Sequence, residues 1–447
     1  MSFSKDPLGH LSDLVAAAKT AGADAADAIY VEGISVSTAC RKGKPESLSR
    51  SEGYDLGLRV LIGKRQAIVS SSDLSKAALD DLVSRAVAMA KVVPEDPYCG
   101  LAPAELLATD IPDLDTCDPV EPSAAVMEQR TAEAEEAALA IAGVSNSEGA
   151  EAGWGKSRMA VAGTNGFAQQ REGSGHSLSV SVVAGEGTRM ERDYDYSTAV
   201  YGSDLSKAAD LGRSAGEKAV ARLNPQKVAT TQVPVVFDPR VSSSLVGHLA
   251  GAINGSSVAR GTTFLKDKMG ARLFGEGVQI IDDPRRQRGL RSKAFDAEGV
   301  ATQTRHLIEN GVLQTWILDL RSARQLGLET TGNASRGPSS PPSPSTTNLY
   351  MAAGQISRDD LIGGIKSGLY VTELIGMGVN GITGDYSRGA GGFWIENGEI
   401  TYPVNEVTIA GNLLDIFQNL VPADDLEFRF STNAPTLRVD GLTLAGI

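Results

Sequence analysis

The sequence predicts an α+β protein, with an N-terminal α/β region of two helix–strands–helix units followed by a C-terminal, mostly antiparallel β-rich domain. Three observations carry this. The hydrophobic period runs helix, alternating strands, helix, and does so twice in the first 224 residues. The heptapeptide SDLSKAA stands at 72–78 and again at 203–209, each time where a closing helix is expected to begin. Beyond Pro225 the pattern is mostly strand, punctuated by Asn-Gly pairs of the kind that favour type I′ hairpins.

In chain order, the first unit is expected over 1–93. It opens with a helix from Leu8 to Ala21, continues with strands from Ala26 to Ser71 around a Gly63-Lys64 hairpin, and closes with a helix from about Ser75. There Ser75 can cap and Leu74 can staple onto Leu79. Residues 94–121 read as a Pro- and Gly-punctuated linker. The second unit, 122–224, repeats the plan: a helix from Pro122 to Ala142, strands from Val144 to Tyr196 with an Asn165-Gly166 hairpin, and a helix from about Ser206 to Leu223. Duplication would explain the shared heptapeptide, and so would a shared capping solution.

The β-rich domain is expected over 225–447. Asn310-Gly311 and Asn397-Gly398 mark hairpins in it, and Ser357 with Asp360 makes a capping box for one helix. The other helix begins at Asp238, which can cap it with Pro239 at the first helical position, and Asn254-Gly255 is read as a left-handed stop. The segment 332–348, GNASRGPSSPPSPSTTN, is too rich in Pro and Ser for regular structure, so it is expected to be mobile or functional.

Composition limits the function. A net charge of −13 and a pI near 5.0 argue against direct nucleic-acid binding and against an anionic membrane surface. The one basic stretch, Arg285 to Lys293, is expected to be a solvated loop, with an anion or partner contact as the alternative. Three cysteines without CxxC spacing point to a reducing, cytoplasmic setting and away from a thiolate zinc site. No apolar run approaches the ~20 residues of a membrane span.

Several motifs fail on context. Gly376, Gly378 and Gly381 spell GxGxxG, but no helix follows to face a pyrophosphate. Residues 212–216 spell GxSxG inside an expected helix, where no strand-to-helix turn can present Ser214. His306 and Glu309 fall on opposite faces of a strand. His10 and His176 are isolated in sequence, which leaves His248. A helical zinc peptidase site needs two imidazoles about a turn apart and a glutamate to take a proton from the bound water. The positions one turn away from His248 hold Ser243 and Ser244 on one side and Ala252 and Ile253 on the other. His248 is therefore read as a hydrogen-bonded histidine on a mostly buried helix.

From Ser51 onward the chain resembles the TldD/TldE (PmbA) metalloprotease family, and within it the TldE (PmbA) branch. The resemblance rests on SEGYDLGLRVLIGKRQAIVSSSDLS, LVGHLAGAINGSSVARGTTFLKDKMG, AFDAEGVATQTRHLIENGVLQTWILDLRSARQLGLETTG, and the run from SGLYVTELIGMGVNGITGDYSRGAGG to TIAGNLL. It implies the non-catalytic subunit of a heterodimeric zinc peptidase that acts on unfolded peptides, in microcin maturation and antitoxin degradation. The TldD-like partner carries the HExxxH motif and the zinc, and no cofactor is expected in this chain. Laid on this sequence, that motif falls on Ser243, Ser244 and His248, so no catalytic or metal residue is assigned. An older family label, modulator of DNA gyrase, implies at most an indirect effect. Two other readings remain: an autonomous hydrolase built around Asp385, Tyr386, Ser387 and Arg388, and a self-associating scaffold that is a homodimer when alone.

Overall fold

In the computed structural model, which describes residues 6–446, the two N-terminal units build one sheet. The first contains α1 (Pro7–Thr20), β1 (Ala25–Arg41), β2 (Lys44–Ile62), β3 (Arg65–Ser71) and α2 (Lys76–Val92). The second contains α3 (Ala124–Leu139), β4 (Val144–Gly163), β5 (Ala168–Ala184), β6 (Glu191–Ala199) and α4 (Ala208–Ala221). Strand order is β3-β2-β1-β4-β5-β6, antiparallel throughout, so the units meet back to back where β1 pairs with β4. In β1, β2, β4 and β5 the even-numbered residues face the helices, and in β3 the odd-numbered Ala67 and Val69 do. Tyr30, Leu58 and Ala160 pack under α1 and α2, while Trp154, Leu178 and Val180 pack under α3 and α4.

The repeated heptapeptide occupies equivalent places but solves the helix start only once. Ser75 caps α2 by accepting from the Ala78 N–H. α4 starts one position later in the repeat, after Lys207, with no side-chain cap, and the Ser206 N–H is taken by Ser197 Oγ. The GxSxG glycines serve packing. A Cβ on Gly212 would lie 2.0 Å from the Ala134 carbonyl oxygen, and one on Gly216 would lie 2.7 Å from Ile141. Both let α4 approach the α3 segment closely.

In the C-terminal region, β7 (Thr231–Phe237) leads into α5 (Pro239–Ala252). β7 pairs in parallel with Ser367–Ile375, whereas the described ladders between the other strands of this sheet are antiparallel. The strands Asp385–Glu396, Glu399–Asn412 and Leu437–Ala445 then carry the pairing round until the last returns to β7, closing the sheet on itself. Leu245, Val246 and Leu249 of α5 join Val235, Phe237, Leu369, Leu437 and Val439 in its core. The Asn-Gly hairpins form with both residues at positive φ: Asn310 +48° and Gly311 +78°, Asn397 +53° and Gly398 +84°.

Three expectations change. Asn254-Gly255 does not supply a left-handed stop: Asn254 has φ −65° and caps a second short helix, Gly255–Ala259, by accepting from the Ser256 N–H. The basic stretch stays largely exposed but is also pinned to the rest of the chain, the contact that was the alternative. Arg288 pairs with Asp115 and Asp204 across the units and covers the Tyr201 ring, while Lys293 is drawn toward the Ala334 carbonyl. The Pro/Ser segment is packed. Asn333 donates to Asp282, the Ala334 N–H donates to Asp296, and Arg336 reaches Asp27 on β1 at 2.7 Å. Gly57 makes this approach possible, since a Cβ there would sit 1.9 Å from the Pro338 carbonyl oxygen.

Candidate functional site

α5 is fixed at its start by Asp238, which accepts from the Arg240 N–H and also from the Tyr370 hydroxyl, and by Pro239, whose missing N–H costs nothing there. Its apolar stripe faces the closed sheet, which leaves Ser243, Ser244 and His248 half-buried on the remaining flank. The Ser244 hydroxyl donates to the Val241 carbonyl at 2.6 Å, one turn back along its own helix. His248 meets Tyr386 edge to face, with ring centroids 6.0 Å apart and planes at 77°.

His248 does not carry the hydrogen bond expected of it. Its Nε2 is buried without a protein partner, as is the Tyr386 hydroxyl. Burial holds the His248 pKa below the usual imidazole value, and the Arg388 guanidinium pushes it the same way, so the ring is neutral near pH 7. Burial pushes the Tyr386 phenol well above its usual value, so it stays protonated. The flank thus offers one imidazole, one phenol and two hydroxyls beside a cation.

These residues do not fit a zinc ion. Serine hydroxyls are poor zinc ligands, His248 supplies one nitrogen, and Arg388 opposes a dication. Among the described residues no group of three or more His, Cys, Asp or Glu side chains could hold a metal ion. The four residues of the alternative hydrolase do not converge either. Tyr386 is turned inward beside His248, whereas Asp385 and Ser387 are exposed on the other face of the strand, and Asp385 is held by Thr383 and Asn412.

The sequence reading passed over a buried ionic cluster between the two regions. Asp27 bridges Arg59 of β2 and Arg336 of the Pro/Ser segment, all three nearly inaccessible. Burial opposes ionisation of Asp27, but Arg336 and Arg59 outweigh it and lower its pKa. Beside this cluster Asp296 and Glu298 are buried, and a carboxyl oxygen of Glu298 accepts from the Leu320 N–H. Burial raises the pKa of Glu298, and the charge of Asp296 adds to it. The available signal was the FDAEG run, two acids two residues apart amid apolar neighbours, but no local pattern names their partners.

With this geometry in place, the chain can be compared with known proteins. Models of PmbA/TldA metallopeptidase domain 1, central domain and C-terminal domain match residues 26–90, 116–223 and 230–446. Metalloprotease PmbA of Escherichia coli O157:H7 is 39% identical over 97% of this chain and 94% of its own length. A Haemophilus influenzae TldD homologue is 28% identical over 60% of this chain and 61% of its own. Among solved structures, a Bacteroides thetaiotaomicron protein named for a proposed modulation of DNA gyrase superposes over the whole of both chains with TM-score 0.91 at 26% identity. TldE of Thermococcus kodakarensis superposes with TM-score 0.87 at 21% identity, over 98% of this chain and all of its own, which speaks to the fold.

Proposed function

This chain belongs to the PmbA/TldD metallopeptidase family, and on that premise we propose that it is the subunit without a metal site in a heterodimeric peptidase whose TldD-type partner binds zinc. The observation that carries the proposal is the flank of α5. The positions that would hold the first histidine and the glutamate of the motif are Ser243 and Ser244, and the surviving His248 is neutral, desolvated and beside Arg388. Nothing on that flank can activate a water on a metal, while the scaffold carrying it extends the length of the family.

In this role the chain completes the peptide chamber of its partner and works on unfolded peptides, of the kind matured in microcin production or degraded as antitoxins. Any influence on DNA gyrase is indirect, since a chain of net charge −13 is repelled by nucleic acid. Unpaired Cys40, Cys99 and Cys117 support a cytoplasmic setting, and no described helix is long and apolar enough to cross a membrane.

The test is reconstitution. Purified chain, purified TldD-type partner and zinc are combined and cleavage of an unstructured peptide is followed. The pair should cleave while this chain alone does not; robust zinc-dependent cleavage by this chain alone would overturn the assignment.

A further inference from the structure

The docked basic stretch places Arg291 at the rim of a cavity of ≈ 570 Å³ between the C-terminal region and the face of the six-stranded sheet that bears no helices. Glycines and small serines make up much of the described floor of that cavity. Gly33 pairs with Gly53 across β1 and β2, and Gly155 pairs with Gly175 across β4 and β5, so backbone lies bare over four adjacent strands. A stripe of glycines could be packing alone, but Arg171 gives it a chemical direction.

Arg171 lines the cavity on the same strand face as Gly173 and Gly175. Its guanidinium touches the Met159 sulfur at 3.6 Å, and its Nε is buried without an acceptor. Burial alone lowers its pKa, with no carboxylate compensating. Lys156 and Glu172, also in the lining, neutralise each other at 2.8 Å. Arg171 and Arg291 therefore remain as a surplus of positive charge. Lys293 reports that surplus: burial brings its pKa down to about 8, and both arginines contribute against the pull of Asp296 and Asp282. A largely desolvated guanidinium without a counter-charge is costly, and an anion in the cavity offsets that cost through the part of Arg171 that stays accessible, while Nε remains covered.

We propose that this cavity is an oxyanion site that receives the carboxylate of an extended peptide, with Arg171 and Arg291 as donors and the glycine floor accommodating its main chain. Planar guanidiniums match a carboxylate geometrically, and two of them in a chain of net charge −13 make a local exception that attracts an anionic group. The choice of a peptide rests on the peptidase reading above; free phosphate offers the same oxyanion chemistry and is separated by the test.

The full-length chain is titrated by fluorescence anisotropy with an N-terminally dansylated nine-residue Gly/Ser/Ala peptide bearing a free carboxylate, with its C-terminal amide, and with inorganic phosphate as competitor. The free carboxylate should bind at least about tenfold more tightly than the amide, the order of one lost charge-assisted contact. Arg171→Gln and Arg291→Gln should each remove that preference, and Arg171→Lys should restore part of it. Arg291 is exposed, so its variant tests the site even if Arg171→Gln does not fold. Equal binding of acid and amide, an unchanged preference in Arg291→Gln, or binding of phosphate without peptide would each overturn the proposal. Cleavage by the reconstituted pair is followed in parallel. Cleavage without carboxylate-dependent binding sinks this site alone, and carboxylate-dependent binding without cleavage sinks the subunit reading alone.

Discussion

At the scale of single residues, α5 shows how little local sequence says about reactivity. His248 could be counted as lacking partners one turn away, but its neutrality comes from burial, with the Tyr386 ring packed against it, and from Arg388, some 140 residues further on. Its lowered pKa has a signed consequence. Between the folded value and the unfolded value near 6.5 the unfolded chain binds more protons, so stability present above pH 6.5 is lost as pH falls below it. His248→Leu should therefore lose less stability than the parent between pH 7.5 and 5.5, as read by urea denaturation at both; an unchanged difference would show that the ring titrates normally. The pair Ser243→His with Ser244→Glu rebuilds the local motif, yet Arg388 remains and no further ligand is at hand. That variant should take up no stoichiometric zinc and cleave nothing by itself, and metal analysis with a peptide assay decides it.

Elements were the most legible scale. Asp238-Pro239, Ser75, Ser357 and the Asn-Gly pairs act locally, through their own neighbours, and each produces the helix start or hairpin it signals. Asn254 failed because its side chain found a second helix to cap, an option that depends on where Ile317 lies: its carbonyl accepts the Gly255 N–H. Glycines inside helices separate the same way. Gly247 of α5 is exposed, and a Cβ there would meet nothing within 4 Å, so Gly247→Ala should stabilise by roughly 0.5–1 kcal/mol through helix propensity. Gly212 of α4 touches the Ala134 carbonyl, so Gly212→Ala should destabilise by roughly 1–3 kcal/mol through overpacking. Thermal melts of the two variants should move in opposite directions.

Across the whole molecule, the N-terminal sheet and the closed C-terminal sheet are tied by ions that no periodicity reveals. Asp27 serves two buried guanidiniums, one of them from a segment that composition alone marks as irregular. Removing the shared carboxylate leaves both unpaired, so Asp27→Ala should cost about 3–5 kcal/mol, measured by denaturant unfolding, and should expose the 332–348 segment to protease. A loss under 1 kcal/mol would mean that apolar contacts and the other ion pairs, such as Arg288 with Asp115 and Arg240 with Asp193, hold the two regions without this cluster.

The sequence by itself determined the α+β class, the two helix–strands–helix units, the family, and the absence of a histidine–glutamate pair around His248, because periodicity, caps and motif spacing are properties of residues close in the chain. Only the tertiary structure decided that the two units share one sheet, that the Pro/Ser segment is a clasp, and that Arg171 and Arg291 meet at one cavity. Those outcomes depend on burial and on charges that are distant in sequence, and desolvation is set by what surrounds a group rather than by what adjoins it.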